Sequence, residues 1–265
     1  MTVSRLIVSK LWYVWVRCNL GFLKDMCRDV AYSYNIKKGY RWEDGINSEL
    51  RFWRSWVGSK GLSNPEVFDL CIDPSLPLQE DLVMLLEKSQ SHNERLKSVL
   101  DVGSGPLTQI GKQHDSWEIE ITPVDALADK YAGLLKEYDL SPLVKTVNGK
   151  VEILSTLFKE GRFDLVCMSN ALDHSEDPIL GLEEMLKVTK PGCYVVLKHA
   201  INEAEKERYR GFHKWNLCSE NSDFVVWNKT EKFNVSKMLS SRADVGVAIV
   251  GDFIVVHILK KFPKG

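Results

Sequence analysis

Val99-Leu-Asp101-Val-Gly103-Ser-Gly105-Pro106-Leu-Thr108 is the stretch that decides the fold. Ser98–Asp101 is a short apolar run that ends at a glycine pair. Such a run reads as a buried strand feeding a tight turn. Two glycines let the backbone approach a ligand closely, because neither carries a Cβ. A strand ending at a glycine turn is where a doubly wound sheet binds its ligand. Asp101 places a carboxylate at the strand end, which suits a cationic group and repels a pyrophosphate. The dinucleotide fingerprint G-x-G-x-x-G is incomplete, since Thr108 stands at its third glycine. Asp125 follows 22 residues after Gly103, where a second strand ends and a carboxylate can accept from ribose hydroxyls.

Outward from this stretch the pattern alternates. A helix is expected from about Thr108, a strand over Trp117–Val124 and a helix over Ala126–Tyr138. Strands follow at Val144–Val147 and Phe163–Met168, then a helix at Pro178–Thr189. Pro191-Gly192 reads as a turn before the strand Cys193–Lys198. Val245–Val250 and Phe253–Leu259 read as a hairpin joined by Gly251-Asp252. The expected architecture is α/β: a Rossmann-like, doubly wound, mostly parallel sheet with a C-terminal antiparallel hairpin and an N-terminal helical segment. The division is 1–96 for an accessory or lid segment and 97–265 for the ligand-binding domain.

Residues 1–60 are helical in pattern and rich in aromatics. Glu49–Trp56 reads as one amphipathic helix ended by Gly58 and Gly61, with Trp42, Trp53 and Trp56 as core residues. This segment is expected to be a lid or a homodimer contact. Lys10, Arg17 and Lys24 fall seven apart on one helical face, and the first 24 residues hold no acid. That face either packs on the core or a partner, or lies peripherally on a membrane surface. The apolar run Leu11–Val16 is far too short to span one.

With 44% apolar and 27% charged residues the chain is globular, and a net charge of −1 gives no general pull toward nucleic acid. The six cysteines form no C-x-x-C pair and read as reduced thiols of a cytoplasmic protein.

The motifs, taken in order, resemble class I S-adenosylmethionine-dependent methyltransferases. They are Asp101-Val-Gly103-Ser104-Gly105, Asp125, Phe163-Asp164-Leu-Val, Asn170-Ala-Leu-Asp173-His174 and Lys190-Pro191-Gly192. The resemblance covers roughly residues 97–260. It implies that the glycine turn holds the methionine part of the cofactor and that Asp125, with Ala126, binds the ribose. It places Gly149-Lys-Val151-Glu152 against the adenine, although many relatives carry aspartate where Lys150 stands. Asn170 and the residues after it would flank cofactor and acceptor. Glu49–Trp56, Ile72-Asp-Pro74, Asn170–Pro178 and His199–Asn216 further resemble a bacterial group of poorly defined substrate, parts of whose pattern recur in proteins of surface polysaccharide modification.

Methyl transfer from a sulfonium is an in-line displacement, and an oxygen acceptor also needs a base. The candidates are Asp173 and His174 after the fourth strand, and His199 and His213 after the fifth. Glu203, Tyr209, Trp215 and Asn216 are the expected acceptor contacts, with Trp215 available to stack on a sugar. Asp173, His174, His199 and Glu203 could supply metal ligands, but their spacing matches no metal motif, so no metal is expected. The leading expectation is O-methylation of a sugar, glycan or related small molecule. The alternatives are a membrane-associated small-molecule or lipid methyltransferase, and a non-catalytic S-adenosylmethionine-binding scaffold. A dehydrogenase is disfavoured by Thr108 and the terminal hairpin.

Overall fold

The computed structural model describes residues 42–62 and 64–263. The basic face of residues 1–24, with Cys18 and Cys27, therefore lies outside the described residues, as does the Trp42 side chain. Gly45–Gly265 form one compact unit, so helices from the segment set apart as 1–96 belong with the sheet.

Strands β1 (Leu96–Val102), β2 (Glu118–Asp125), β3 (Val147–Asn148), β4 (Phe163–Ser169) and β5 (Thr189–Ala200) pair in parallel. A smaller sheet is built from β6 (Asn216–Glu220), β7 (Asp223–Trp227) and β8 (Lys232–Asn234). Strands β9 (Ala243–Val250) and β10 (Phe253–Lys260) form the expected hairpin, and β10 adds antiparallel to β5. The large sheet has the order β3-β2-β1-β4-β5-β10-β9. Chain order reverses between β1 and β4, so the crevice beyond their C-terminal ends is the natural ligand site.

Side chains alternate across the large sheet as the two-residue period requires. Leu100, Val102, Val166, Met168, Ile254 and Val256 face one core, where they meet Leu182 and Met185 of a helix over Pro178–Val188. Leu217, Phe224 and Val226 of the small sheet complete that layer. Val99, Leu165, Cys167 and Val196 face the other core, against Leu82, Leu85 and Leu86. The helices are α1 (Trp42–Gly58), α2 (Pro65–Ile72), α3 (Glu80–Lys88), α4 (Ala128–Glu137), α5 (Leu154–Leu157), α6 (Pro178–Val188), α7 (Glu203–Lys206) and α8 (Val235–Leu239). A third cluster joins Trp56 and Val57 of α1 to Phe68 and Cys71 of α2 and to Leu107 and Leu135. Cys71, Cys167, Cys193 and Cys218 are free and buried.

The helix expected from Thr108 does not form; residues 107–117 are irregular. Their polar groups have other partners. Thr108 Oγ1 donates to Asp101 at 2.6 Å, and Gln79 Nε2 donates to the Gln109 carbonyl at 2.7 Å. Lys112 N donates to the Leu76 carbonyl, and Leu78 N to that of Gln113. With these groups satisfied by residues 76–79, the segment needs no helical ladder. A Cβ on Gly111 would collide with the Pro77 carbonyl, so the close approach also requires that glycine. Pro191-Gly192 sits within β5 rather than before it, at a register shift opposite Phe163–Leu165, with Gly192 at φ +72. The expected strand at 144–147 shrinks to Val147–Asn148. The small sheet was not anticipated, because its strands are short and carry no turn signature like that of the terminal hairpin.

At the N-terminal ends of the parallel strands, Asp164 ties three of them together. The Ser98 backbone N–H and hydroxyl both donate to Oδ2 at 2.8 Å, and Lys190 Nζ donates to Oδ1 at 2.8 Å. Burial alone would raise its pKa, but the hydrogen bonds from Lys190 and Ser98 hold it below the ordinary carboxylate value. A depressed carboxylate adds stability that is present above its unfolded pKa and lost as pH falls. Asp164→Ala should therefore cost about 1–3 kcal/mol in urea unfolding at neutral pH, because it removes the acceptor of the part-buried Ser98 and Lys190 donors. The difference from wild type should shrink on acidification.

Candidate active site

The turn between β1 and the irregular segment is held from three sides. Gly103 N donates to the Val124 carbonyl at 2.8 Å. Gly105 N donates to Asp125 Oδ2 at 3.0 Å, and Leu127 N to Asp125 Oδ1 at 2.8 Å. Gly103 and Gly105 both have positive φ, +67 and +65, a conformation that favours glycine. A Cβ on Gly103 would meet Ala171, and one on Gly105 would lie 2.5 Å from the Trp53 ring. The turn is thus pinched between the segment after β4 and helix α1. Ser104 is buried within it. Asp125 spends one lone pair of each oxygen on the backbone, which leaves further acceptor capacity for a ligand. Burial raises the pKa of Asp125, and raises that of Asp101 to about 6. Asp101 is 8% exposed and accepts from Thr108. Among the described residues no helix follows directly on this turn, so the strand–turn–helix cradle for a pyrophosphate does not form there.

Beyond β4 the chain makes a short turn, Leu172–His174, led by Asn170 at φ +46. Asn170 Oδ1 accepts from Ala200 N at 2.8 Å, joining the ends of β4 and β5. The Asp173 carbonyl accepts from Lys214 N at 3.0 Å and Trp215 N at 3.3 Å. Those two bonds carry His213 onto the Asp173 carboxylate, where its Nδ1 donates to Oδ2 at 2.6 Å. His174 Nε2 lies 3.2 Å from His213 Nδ1 and 3.6 Å from Asp173 Oδ2. His199, near the end of β5, faces Asp173 Oδ1 at 3.3 Å but out of line for a hydrogen bond. The structure therefore gathers all four base candidates, although they are scattered over 41 residues of chain.

Electrostatics separate the members of this cluster. Burial would raise Asp173, but the imidazoles around it hold its carboxyl well below the ordinary range. Burial pushes His174 down to about 4, outweighing the pull of Asp173. Burial also opposes the charge on His213, yet its hydrogen bond to Asp173 raises its pKa. Of the two, His213 is the imidazole whose charged form Asp173 favours.

The remaining candidates divide. Trp215 is 6% exposed, packs on Phe233 and donates its Nε1 to the Ser175 carbonyl at 3.2 Å. It offers no face for stacking, contrary to expectation, because the small sheet closes over it. Asn216 is fully buried, accepting from Glu205 N at 2.9 Å and donating to the Tyr209 hydroxyl at 2.8 Å. Asn216 and Tyr209 both shape the loop through that bond. Glu203 opens α7, and its charge supports that of His213. Glu152 Oε1 accepts from Glu176 N at 2.8 Å and from Asp177 N, which occupies one oxygen of its carboxylate. Val151 is buried against Gly181, and Ala126 is half-buried beside Asp125.

Glu49 was not singled out as a site residue. It accepts from Trp53 Nε1 at 2.7 Å, and its raised pKa comes first from burial, with Asp125 and Asp173 adding to it. Helix α1 thereby directs a carboxylate toward both halves of the site. The i,i+4 pairing of Glu49 and Trp53 was the available signal.

Residues 100–197 match the family described as a methyltransferase domain. That span includes the glycine turn, Asp125, Asp173 and His174, and ends before His199 and His213. A Schizosaccharomyces pombe protein described as an uncharacterized methyltransferase is 35% identical over 109 residues, which is 38% of this chain and 39% of that protein. The aligned part thus spans about two-fifths of that relative. A chain of the complex between the Haloferax volcanii Trm112 methyltransferase activator and a methyltransferase matches with TM-score 0.52 at 13% identity, over 82% of this chain and 98% of its own. A Methanococcus maripaludis protein described as an S-adenosyl-L-methionine-dependent methyltransferase also matches at TM-score 0.52 and 13% identity, over 85% and 97%. At such identities the likeness is one of fold. The family match spans less than half of the chain, and the solved structures share its Rossmann-like fold.

The pinched turn makes its own test. Gly105→Ala should destabilise the protein by about 1–2 kcal/mol from the positive φ, plus the clash with Trp53. Adding Trp53→Ala should recover only the clash, so the double-mutant cycle in urea unfolding should be non-additive. Additive losses would mean that the indole does not rest on the turn.

Proposed function

We propose that this chain is an S-adenosylmethionine-dependent methyltransferase that methylates an oxygen of a sugar, a glycan precursor or a related small molecule. The observation that supports the reading is the cradle formed by Gly103, Gly105, Asp101 and Asp125 at the point where sheet order reverses. Its residues fit the cofactor. Two glycines leave room for close approach, Asp125 keeps acceptor capacity for ribose hydroxyls, and Asp101 offers a buried negative charge to an ammonium group. Ala126 and Asn170 border the same space. Adenine recognition falls to the backbone around Val151, with the second oxygen of Glu152 as the nearest carboxylate acceptor.

Bound there, S-adenosylmethionine supplies an electrophilic methyl group. The protein's own work is to align an acceptor oxygen with it and to take the hydroxyl proton. Asp173, His174, His213 and His199 form the polar centre beside the cradle that does this. A base is needed for a hydroxyl and much less for an amine, so this centre favours an oxygen acceptor. Residues 1–41 and any membrane contact through them stand apart from this argument.

Calorimetric titration with S-adenosylhomocysteine should show micromolar binding, weakened at least about tenfold in Asp125→Ala. Asp101 must be ionised to pair with the ligand's ammonium group. Since its pKa is about 6, affinity should fall about tenfold per unit as pH drops below that value. Affinity that ignores pH through this range would remove Asp101 from the cradle. In an acceptor screen beginning with sugars, Asp173→Asn should cut kcat by about a hundredfold or more with S-adenosylhomocysteine affinity unchanged. Transfer only to amines would sink the oxygen assignment, and cofactor binding without transfer to any acceptor would leave a non-catalytic binding protein.

A further inference from the structure

Three Lewis bases converge on one point in the Asp173 centre. His213 Nδ1, His174 Nε2 and Asp173 Oδ2 are separated by 2.6, 3.2 and 3.6 Å. An imidazole nitrogen presents one in-plane position, holding either a proton or a lone pair. If His213 Nδ1 donates to Asp173, His174 Nε2 faces a hydrogen already given away. If both nitrogens carry protons, two N–H groups point at each other. No arrangement of protons gives each of the three atoms a hydrogen bond of its own; one His213 N–H would have to be shared between Asp173 Oδ2 and His174 Nε2.

A divalent cation would satisfy them. Donors about 2.0–2.2 Å from a common metal lie roughly 3.0–3.5 Å apart, so the 3.2 and 3.6 Å separations fit and the 2.6 Å pair must open by at least about 0.4 Å. The donor set is two imidazoles and one carboxylate, the borderline-soft mixture that takes first-row divalent ions. The His174 and His213 side chains are 21% and 26% exposed, while Asp173 is 1% exposed. Three ligands on one wall with an open side is the form of a catalytic rather than a structural metal site. These three residues also form a candidate metal-holding group among the described residues.

A second observation is independent of that triangle. His199 is 1% exposed, and neither ring nitrogen has a hydrogen-bond partner. Asp173 Oδ1, which it faces, is likewise buried without one. A buried, unsatisfied imidazole is costly, and here it is aimed at the carboxylate on which the centre is built. With Oδ2 turned to a cation, a small rotation of His199 lets its N–H close onto Oδ1 and hold the ligand carboxylate in place. The chain spacing hides all this, since the ligands come from the turn after β4 and from the loop before β6.

We infer that Asp173, His174 and His213 bind a first-row divalent cation, with His199 positioning Asp173 from behind. The binding claim stands without the methyltransferase reading. The ion's use, coordinating an acceptor hydroxyl and lowering its pKa so that its proton leaves to solvent water in place of a side-chain base, rests on that reading.

The test is titration of the chelator-stripped full chain with Co²⁺ and with Zn²⁺, followed by calorimetry and, for Co²⁺, by visible absorption. One ion should bind, His174→Gln and Asp173→Asn should each weaken it more than tenfold, and His199→Gln about tenfold. In the wild type, Co²⁺ should shift the ring resonances of His174 and His213, a readout that needs no variant to fold. S-adenosylhomocysteine binding is measured on the same samples. Cofactor binding without metal binding would overturn this inference and leave the methyltransferase reading. Metal binding without cofactor binding would do the reverse. Metal that binds with the His174 and His213 resonances unmoved would be an adventitious ion only and would overturn the site.

Discussion

The close approach of the glycine turn to the segment after β4 is the constraint from which the site follows. β1 and β4 are neighbours whose connections leave in opposite directions, so their C-terminal ends open a crevice. Gly103 lies so near Ala171 that any side chain at 103 would fill the gap. That contact sets where Asn170 turns into a left-handed conformation and where Asp173 emerges. The Asp173 carbonyl then fastens the loop carrying His213. A single backbone approach thus brings the glycine turn and the acidic-imidazole centre side by side.

The two ends of the parallel strands treat buried polar groups differently. At the N-terminal ends, Asp164 has donors for both oxygens, and Ser98 and Lys190 supply them. That arrangement ties strands and leaves nothing over. At the C-terminal ends, Asp173 keeps one oxygen unsatisfied and His199 keeps two nitrogens so. Native interiors rarely tolerate such groups unless a function retains them. The contrast locates chemistry at one end of the sheet and stability at the other.

Aromatic residues show how little a side chain's type says about its role. Trp53, read as core, rests on Gly105 and holds Glu49. Trp56 is the core residue of the pair, joined to Phe68. Trp215, read as a stacking platform, is sealed beneath the small sheet. In each case the environment comes from an element distant in sequence, and an indole serves any of them equally well.

What the sequence by itself determined is the local and periodic part of the protein. The run Ser98–Asp101, the alternation of later elements and the Gly251-Asp252 hairpin specify the sheet, because strand period and turn chemistry are written in neighbouring residues. Gly103, Gly105 and Asp125 were legible as parts of one tight turn at the strand ends for the same reason. Only the tertiary structure decided the rest. The helix after the glycine turn gave way to hydrogen bonds from residues 76–79, which propensity cannot see. Glu49 joined the site because helix α1 lies over the turn. The convergence of Asp173, His174, His199 and His213 depends on three separate chain segments ending at one crevice, and convergence in space leaves no period or spacing along the chain.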